Sequence, residues 1–175
     1  MKPAVRRRVG VIAFFGLLLS IVLANFLIVH VGIIPVGFGL EAPAGVYAAA
    51  LALVCRDLVQ NTIGKRWSVV AIAAGALVSF LISAQLALAS ATAFAASETV
   101  DFLIYTALYR RSWLPAVLPA GIVGLAVDSA VFLWLAFGSE ALFWGQCVGK
   151  LEAILVAILI LVPVRRSYAL TPAPA

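Results

Sequence analysis

The sequence predicts an all-α integral membrane protein of six transmembrane helices, with both termini on the cytoplasmic side. Three observations predict it: composition, the lengths of the apolar runs, and the placement of lysine and arginine. Of 175 residues, 65% are hydrophobic and 11% are charged. A soluble domain has about 45–50% apolar and about 25% charged residues. Mean hydropathy is +1.18, which excludes both a water-soluble globular fold and a disordered chain. A span takes roughly 20 apolar residues, so the length holds about six spans on short connections and no large soluble domain.

The elements follow in order. Arg6, Arg7 and Arg8 precede an apolar run from about Val9 to Val31. A cleavable signal peptide has an apolar core of only about 7–15 residues, so this run is read as the first helix. Pro35, Gly37, Gly39 and Pro43 make Ile33 to Pro43 a loop. The second span runs from about Ala44 to Asn61 and closes on Gly64, Lys65 and Arg66. The third runs from Trp67 to about Leu86, and the fourth from about Ser90 to Tyr109, closing on Arg110 and Arg111. The fifth starts near Trp113 and ends near Phe137. Its Pro115 and Pro119 fall early, where a helix tolerates proline best. The sixth runs from about Ala141 to Val162 and closes on Arg165 and Arg166. The chain thus divides into a basic N-terminus (1–8), one transmembrane domain (9–164) and a short tail (165–175).

Cationic residues set the direction. Lys2, Arg6, Arg7 and Arg8 precede the first span; pairs follow the second, fourth and sixth; the three opposite loops carry none and hold Glu41 and Glu140 instead. That alternation puts both termini in the cytoplasm. Trp67 and Trp113 stand where interfacial anchors belong. The net charge of +5 and pI near 9.7 therefore report orientation. No basic stripe with interleaved aromatics points to nucleic acid.

Seven ionisable residues fall within the predicted spans: Arg56, Asp57, Glu98, Asp101, Asp128, Lys150 and Glu152. Each costs about 2.5–3.5 kcal/mol at mid-membrane, and such residues by default face an interior cavity and mark a substrate or ion path. The alternative is a set of buried ion pairs tying helices together. Spacing favours one cavity. Glu98 and Asp101 are three apart and share a helix face, which Phe94 and Tyr105 extend. Asp128 shares a face with Gly121 and Gly124, and Gln146 shares one with Lys150, beside Gly145, Gly149, Ala153 and Ala157. Asp57, Gln60, Asn61 and Gly64 share a face of the second helix, where Asp57 and Asn61 form an inner gate or second polar layer. The first helix offers Asn25 and a small-residue seam, Gly16, Ser20 and Ala24. The third, with Ser79, Ser83 and Gln85, is outer wall.

The candidate substrate-binding residues are Asn25, Asp57, Asn61, Glu98, Asp101, Asp128, Gln146 and Lys150. Five carboxylates and two cations leave an acidic interior, suited to a proton-coupled step or to a cationic substrate. Carboxylates accept, lysine donates, amides do both, and Phe102, Tyr105, Trp134 and Trp144 can stack on a flat ring. The set suits a planar heterocycle such as a purine-like base. There is no GxxxxGK[ST], HExxH or GxSxG motif, so no enzyme, cofactor or ATP-binding loop is expected. With His30 alone, and with Cys55 and Cys147 isolated in apolar stretches, no metal centre is expected either.

From Asn25 to Lys150 the chain resembles the queuosine precursor transporters, also called the vitamin-uptake-transporter-like family. The residues carrying the resemblance are Ala24-Asn25-Phe26-Leu27, Arg56-Asp57 running to Gly64-Lys65-Arg66, Ser97-Glu98 with Asp101 and Tyr105, Val127-Asp128-Ser129, and Gly149-Lys150. Glu98 stands where the family often has glutamine. The resemblance implies an inner-membrane carrier importing 7-cyano-7-deazaguanine or 7-aminomethyl-7-deazaguanine. Glu98 or Asp101 would take the guanine edge, and Lys150 would take O6 or pair with Asp128. The family is similar to the substrate-binding subunits of energy-coupling-factor transporters, which dock on ATP-driven partners through small residues of the first helix. Gly16, Ser20 and Ala24 would serve that alternative, in which the chain needs an energising module. A membrane scaffold would instead turn its polar residues outward. A homo-oligomer is compatible with either transport reading.

Overall fold

A computed structural model of the chain describes residues 3–109 and 114–169. Arg110, Arg111 and Trp113 lie outside the described residues, as do Lys2, the end of the tail and the side chains of Phe102, Tyr105, Pro115, Pro119, Arg165 and Arg166. The fold is all-α, with six helices among the described residues: α1 (Pro3–Val31), α2 (Val46–Thr62), α3 (Lys65–Phe80), α4 (Ala84–Tyr109), α5 (Leu114–Phe137) and α6 (Phe143–Ala169). Of these, Ala4–Val31 is long and apolar enough to cross a membrane, and Gly121–Phe137 is a shorter apolar helix. The other expected crossings do not reach that length and apolarity among the described residues.

Two packed units make up the bundle. In the first, Ala13 and Leu17 of α1 meet Cys55 and Val59 of α2 and Ala71 of α3. In the second, Leu86, Ala89 and Ala93 of α4 meet Phe132, Leu133 and Ala136 of α5. Five of these eleven residues are alanine, which lets helix backbones approach closely. α6 lies against α2 and α5 and closes the gap between the units. Arg6 ties the start of α1 to the end of α2 by donating to the Asn61 and Thr62 carbonyls.

The segment expected as a loop between α1 and α2 is a small antiparallel hairpin. Its strands β1 (Ile33–Pro35) and β2 (Glu41–Pro43) pair Ile33 with Pro43, Ile34 with Ala42 and Pro35 with Glu41. Gly32, at φ +83, reverses the chain out of α1 while its N–H still bonds the Ile28 carbonyl, an ending that glycine suits. The hairpin lies along α6. A Cβ at Gly145 would overlap the Glu41 carbonyl. Gly145→Ala is therefore expected to push the hairpin off α6 and to lower stability by about 1–3 kcal/mol, read as an earlier thermal transition in detergent.

The boundary between the third and fourth helices also differs from the expectation. α3 ends at Phe80, and a tight turn carries the chain into α4 at Ala84. Leu81, Ile82 and Ser83 close that turn through N–H bonds to the Val78 and Ser79 carbonyls, and Ser83 Oγ accepts from the Leu86 N–H. Gln85 thus falls in the first turn of α4, and its amide donates to the Ala136 carbonyl at the end of α5.

Candidate functional site

Two adjoining cavities occupy the space between the packed units. The first, of about 100 Å³, is walled mainly by apolar side chains of α1 to α5, Phe94 and Phe132 among them; Ile72 and Ala76 bring α3, expected as outer wall, into its lining. Its polar lining is sparse: Asn25, Ser90, Asp128 and Gln146. The second, of about 140 Å³, is lined by Arg56, Asp57, Ser97, Glu98, Asp101, Gly121, Gly124 and Asp128 with three apolar residues. Leu53 and Asp128 belong to both. On α4 the first cavity takes positions 87–94 and the second 97–101; on α2 the first reaches Leu53 and the second continues to Asp57. The chambers therefore follow one another along the bundle axis, the acidic one nearer the basic end.

Asp128 stands at the junction, and α6 holds it there. Lys150 is fully buried. Its ammonium donates to Asp128 Oδ2 and, at 2.9 Å, to Ser129 Oγ. Ser129 can accept because its own hydroxyl proton goes to the Leu125 carbonyl one turn back. Lys150 thus pairs with Asp128, one of the two roles expected for it, and does not line either cavity.

Arg56 organises the acidic chamber. Its guanidinium reaches Glu98 at 2.6 Å and Asp57 at 3.2 Å, and lies over the Phe94 ring with Cζ 5.7 Å from the centroid. A cation over an aromatic face is attracted by the ring quadrupole. Asp101 shares the chamber, and Gly124 lies against its Cβ. Small residues at Gly121 and Gly124 leave the room that the carboxylates line.

The first chamber holds unused hydrogen-bonding capacity. Asn25 is 1% and Gln146 3% exposed, yet Asn25 Nδ2 and Gln146 Oε1 find no hydrogen-bond partner among the described residues. Asn25 Oδ1 accepts from the Ser90 hydroxyl at 3.3 Å. A buried polar atom left unpaired costs about 1–3 kcal/mol, and most native ones are paired. The two residues that carry these atoms line one apolar cavity beside a carboxylate. That arrangement fits a flat, mostly apolar ligand with hydrogen-bonding groups on its edge.

Most of the expected site residues are brought together: Glu98, Asp101, Asp57 and Asp128 around one chamber, Asn25, Gln146 and Asp128 around the other. Asn61 is not among them. It is exposed, and its backbone carbonyl is taken by Arg6 at the bundle's end, so it forms no inner gate with Asp57. Of the two carboxylates expected at a guanine edge, Glu98 has one oxygen engaged by Arg56, and Asp101 lines the same chamber. Trp134 and Trp144 are exposed on the outside of the bundle and cannot stack on a ligand inside it. The seam of Gly16, Ser20 and Ala24 is used within the chain: Gly16 lies against Cys55, Gly45 packs on the Ala24 carbonyl, and Ser20 is buried.

Sequence reasoning left Arg56 and Glu152 without roles and passed over Ser90 and Phe132. Arg56 belongs to the acidic chamber, and Glu152 accepts from the Tyr47 hydroxyl at 2.9 Å. Ser90 lies one turn before Phe94 and two before Glu98 on α4, a spacing that marks it as sharing their face. Among the described residues no group of three or more His, Cys, Asp or Glu side chains is gathered as a metal ion would need. Comparison of the chain with protein-family models, curated proteins and solved structures gives no match in any of the three.

Proposed function

We propose that the chain is a six-span carrier of the inner membrane, with both termini in the cytoplasm, that imports a queuosine precursor, 7-cyano-7-deazaguanine or 7-aminomethyl-7-deazaguanine. The observation that carries this reading is the apolar chamber lined by Asn25, Gln146 and Asp128, the two amides each carrying a buried atom without a hydrogen-bond partner. A deazaguanine edge offers one carbonyl acceptor and several N–H donors, which these groups can meet while Phe94 and Phe132 flank the ring. The acidic chamber beyond lies on the route toward the cytoplasm, and its carboxylates suit a proton-coupled step. No catalytic role or cofactor is assigned.

Membrane embedding is supported by an inverted distribution of side chains. Ile12, Phe15 and Leu19 of α1, Leu77 of α3, Leu103 of α4, Ile122 of α5 and Leu159 of α6 are exposed, whereas Asn25, Ser97, Ser129, Gln146 and Lys150 are buried. Soluble monomers rarely expose contiguous apolar patches beyond a few hundred Å². The same distribution speaks against a scaffold with outward polar faces. Ser20 and Ala24 are buried and Gly16 is half-buried against Cys55, which speaks against that seam as a docking surface for an ATP-driven partner.

The test is rescue of tRNA queuosine. A host lacking deazaguanine synthesis and its own importer would express this chain alone and receive low external 7-cyano-7-deazaguanine. The expected result is queuosine in tRNA, abolished by a proton uncoupler. Absence of queuosine with folded protein in the membrane would overturn the reading of a self-sufficient carrier of this ligand.

A further inference from the structure

The two chambers adjoin, and one contact spans their boundary. On α4 the lining passes from the apolar chamber to the acidic one between Phe94 and Ser97; on α2 it passes at Leu53 and Arg56. Phe94 lines the apolar chamber and Arg56 the acidic one. They meet at that boundary, the guanidinium lying over the ring with Cζ 5.7 Å from its centroid. Phe94 and Glu98 stand one turn apart on a shared face of α4. A single Arg56 side chain therefore holds both, the ring through its quadrupole and the carboxylate at 2.6 Å. Asp57 steadies the guanidinium from α2 at 3.2 Å. α2 belongs to one packed unit and α4 to the other, so the contact bridges the gap between the units.

We propose that Arg56 is a positioning residue that holds Phe94 as an inner gate, closing the apolar chamber toward the acidic chamber and the cytoplasm. The role rests on the chain being a carrier whose ligand leaves by its basic end. A gate needs a tie that also lets go, and here the released cation keeps a partner. Glu98 and Asp101 are three apart on one face of α4, and both line the acidic chamber. A guanidinium leaving the Phe94 ring moves along this row from one carboxylate to the next. It thereby avoids the cost of an unpaired charge in the bundle interior. The ring, without its cation, is free to turn about its side-chain bonds, and the apolar chamber opens into the acidic one. The Lys150–Asp128 pair at the same boundary ties α5 to α6 and leaves the gap between α2 and α4 to Arg56.

The experiment is thiol labelling of the full chain in inside-out membrane vesicles. Cys55→Ala and Cys147→Ala remove the native thiols, and Ala91→Cys or Ala49→Cys places one reporter in the lining of the apolar chamber. The probe is a membrane-impermeant maleimide, which meets the cytoplasmic face alone. With Arg56 and Phe94 in place the reporter is expected to be protected. Phe94→Leu keeps an apolar side chain and removes the quadrupole. Labelling should then rise about tenfold, the change in an open–closed equilibrium that loss of one desolvated cation–π contact gives. Phe94→Trp keeps an aromatic face, and the reporter should stay protected. Arg56→Gln combined with Glu98→Gln removes the cation without orphaning its carboxylate and should label like Phe94→Leu. A cooperative thermal transition in detergent separates opening from unfolding, and Phe94→Leu carries the test if the double variant does not fold. Reporters already labelled with Arg56 and Phe94 in place, or protected equally in Phe94→Leu, overturn the gate. A gate that opens as expected in a chain that fails to restore tRNA queuosine stands, and the ligand reading falls.

Discussion

Lys150→Ala is expected to remove most of the folded protein. Lys150 has no exposed surface, and its ammonium is shared between Asp128 and Ser129. Truncation leaves a carboxylate in the bundle interior with its cation gone and a serine hydroxyl short of a donor. Breaking a buried pair by removing one partner costs about 3–5 kcal/mol, against a total of about 5–15 kcal/mol for an ordinary domain. Thermal unfolding in detergent should show a large downward shift or no cooperative transition. The cost belongs to the orphaned charge, so Lys150→Met combined with Asp128→Asn should recover most of the lost stability. Queuosine rescue should stay absent in that double variant, because Asp128 lines both chambers. A Lys150→Ala chain as stable as wild type would show that the pair does not tie α5 to α6.

The helical character of the chain and the gathering of its ionisable residues were legible in the sequence because both depend on local signals. Helix periodicity puts Glu98 with Asp101, and Asp128 with Gly121 and Gly124, on shared faces, and the structure lines one chamber with all five. Orientation of a face is not local. Trp134 stands six residues past Asp128, and only the packing of α4 on α5 decides that it points outward. Asn61 shares a helical face with Asp57, but α2 ends at Thr62 and the cavity ends a turn earlier. The hairpin was hidden by its shortness: three-residue strands bounded by Pro35 and Pro43 have no alternation to read. The break before α4 did leave a signal in Ser83, a side chain of the kind that caps helix starts, set in an apolar run that reads as continuous. The orphaned atoms of Asn25 and Gln146 could not be foreseen, since whether a buried amide is satisfied depends on every neighbour at once.

Those atoms make the second large prediction, in which stability and function move in opposite directions. Gln146→Met keeps the length of the side chain and removes the unpaired oxygen. Burying an unsatisfied acceptor costs about 1–3 kcal/mol, so the methionine chain should be more stable than wild type by about 1 kcal/mol, seen as a later thermal transition in detergent. Uptake should fall at least tenfold, because the ligand loses a hydrogen bond and must bury its own N–H against a thioether. A purely structural glutamine would give neither result together: loss of a needed bond would lower stability, and a bystander would leave uptake alone. If stability rises while uptake holds, the free acceptor is a packing defect and the ligand lies elsewhere. Phe132→Ala supplies the contrast. Phe132 lines the same chamber but belongs to the core between α4 and α5, so its truncation should cost about 3–5 kcal/mol of stability together with uptake. Two residues on one cavity wall would then respond with opposite signs in stability and the same sign in transport, as expected when one holds the walls together and the other is kept, at a cost in stability, for the ligand.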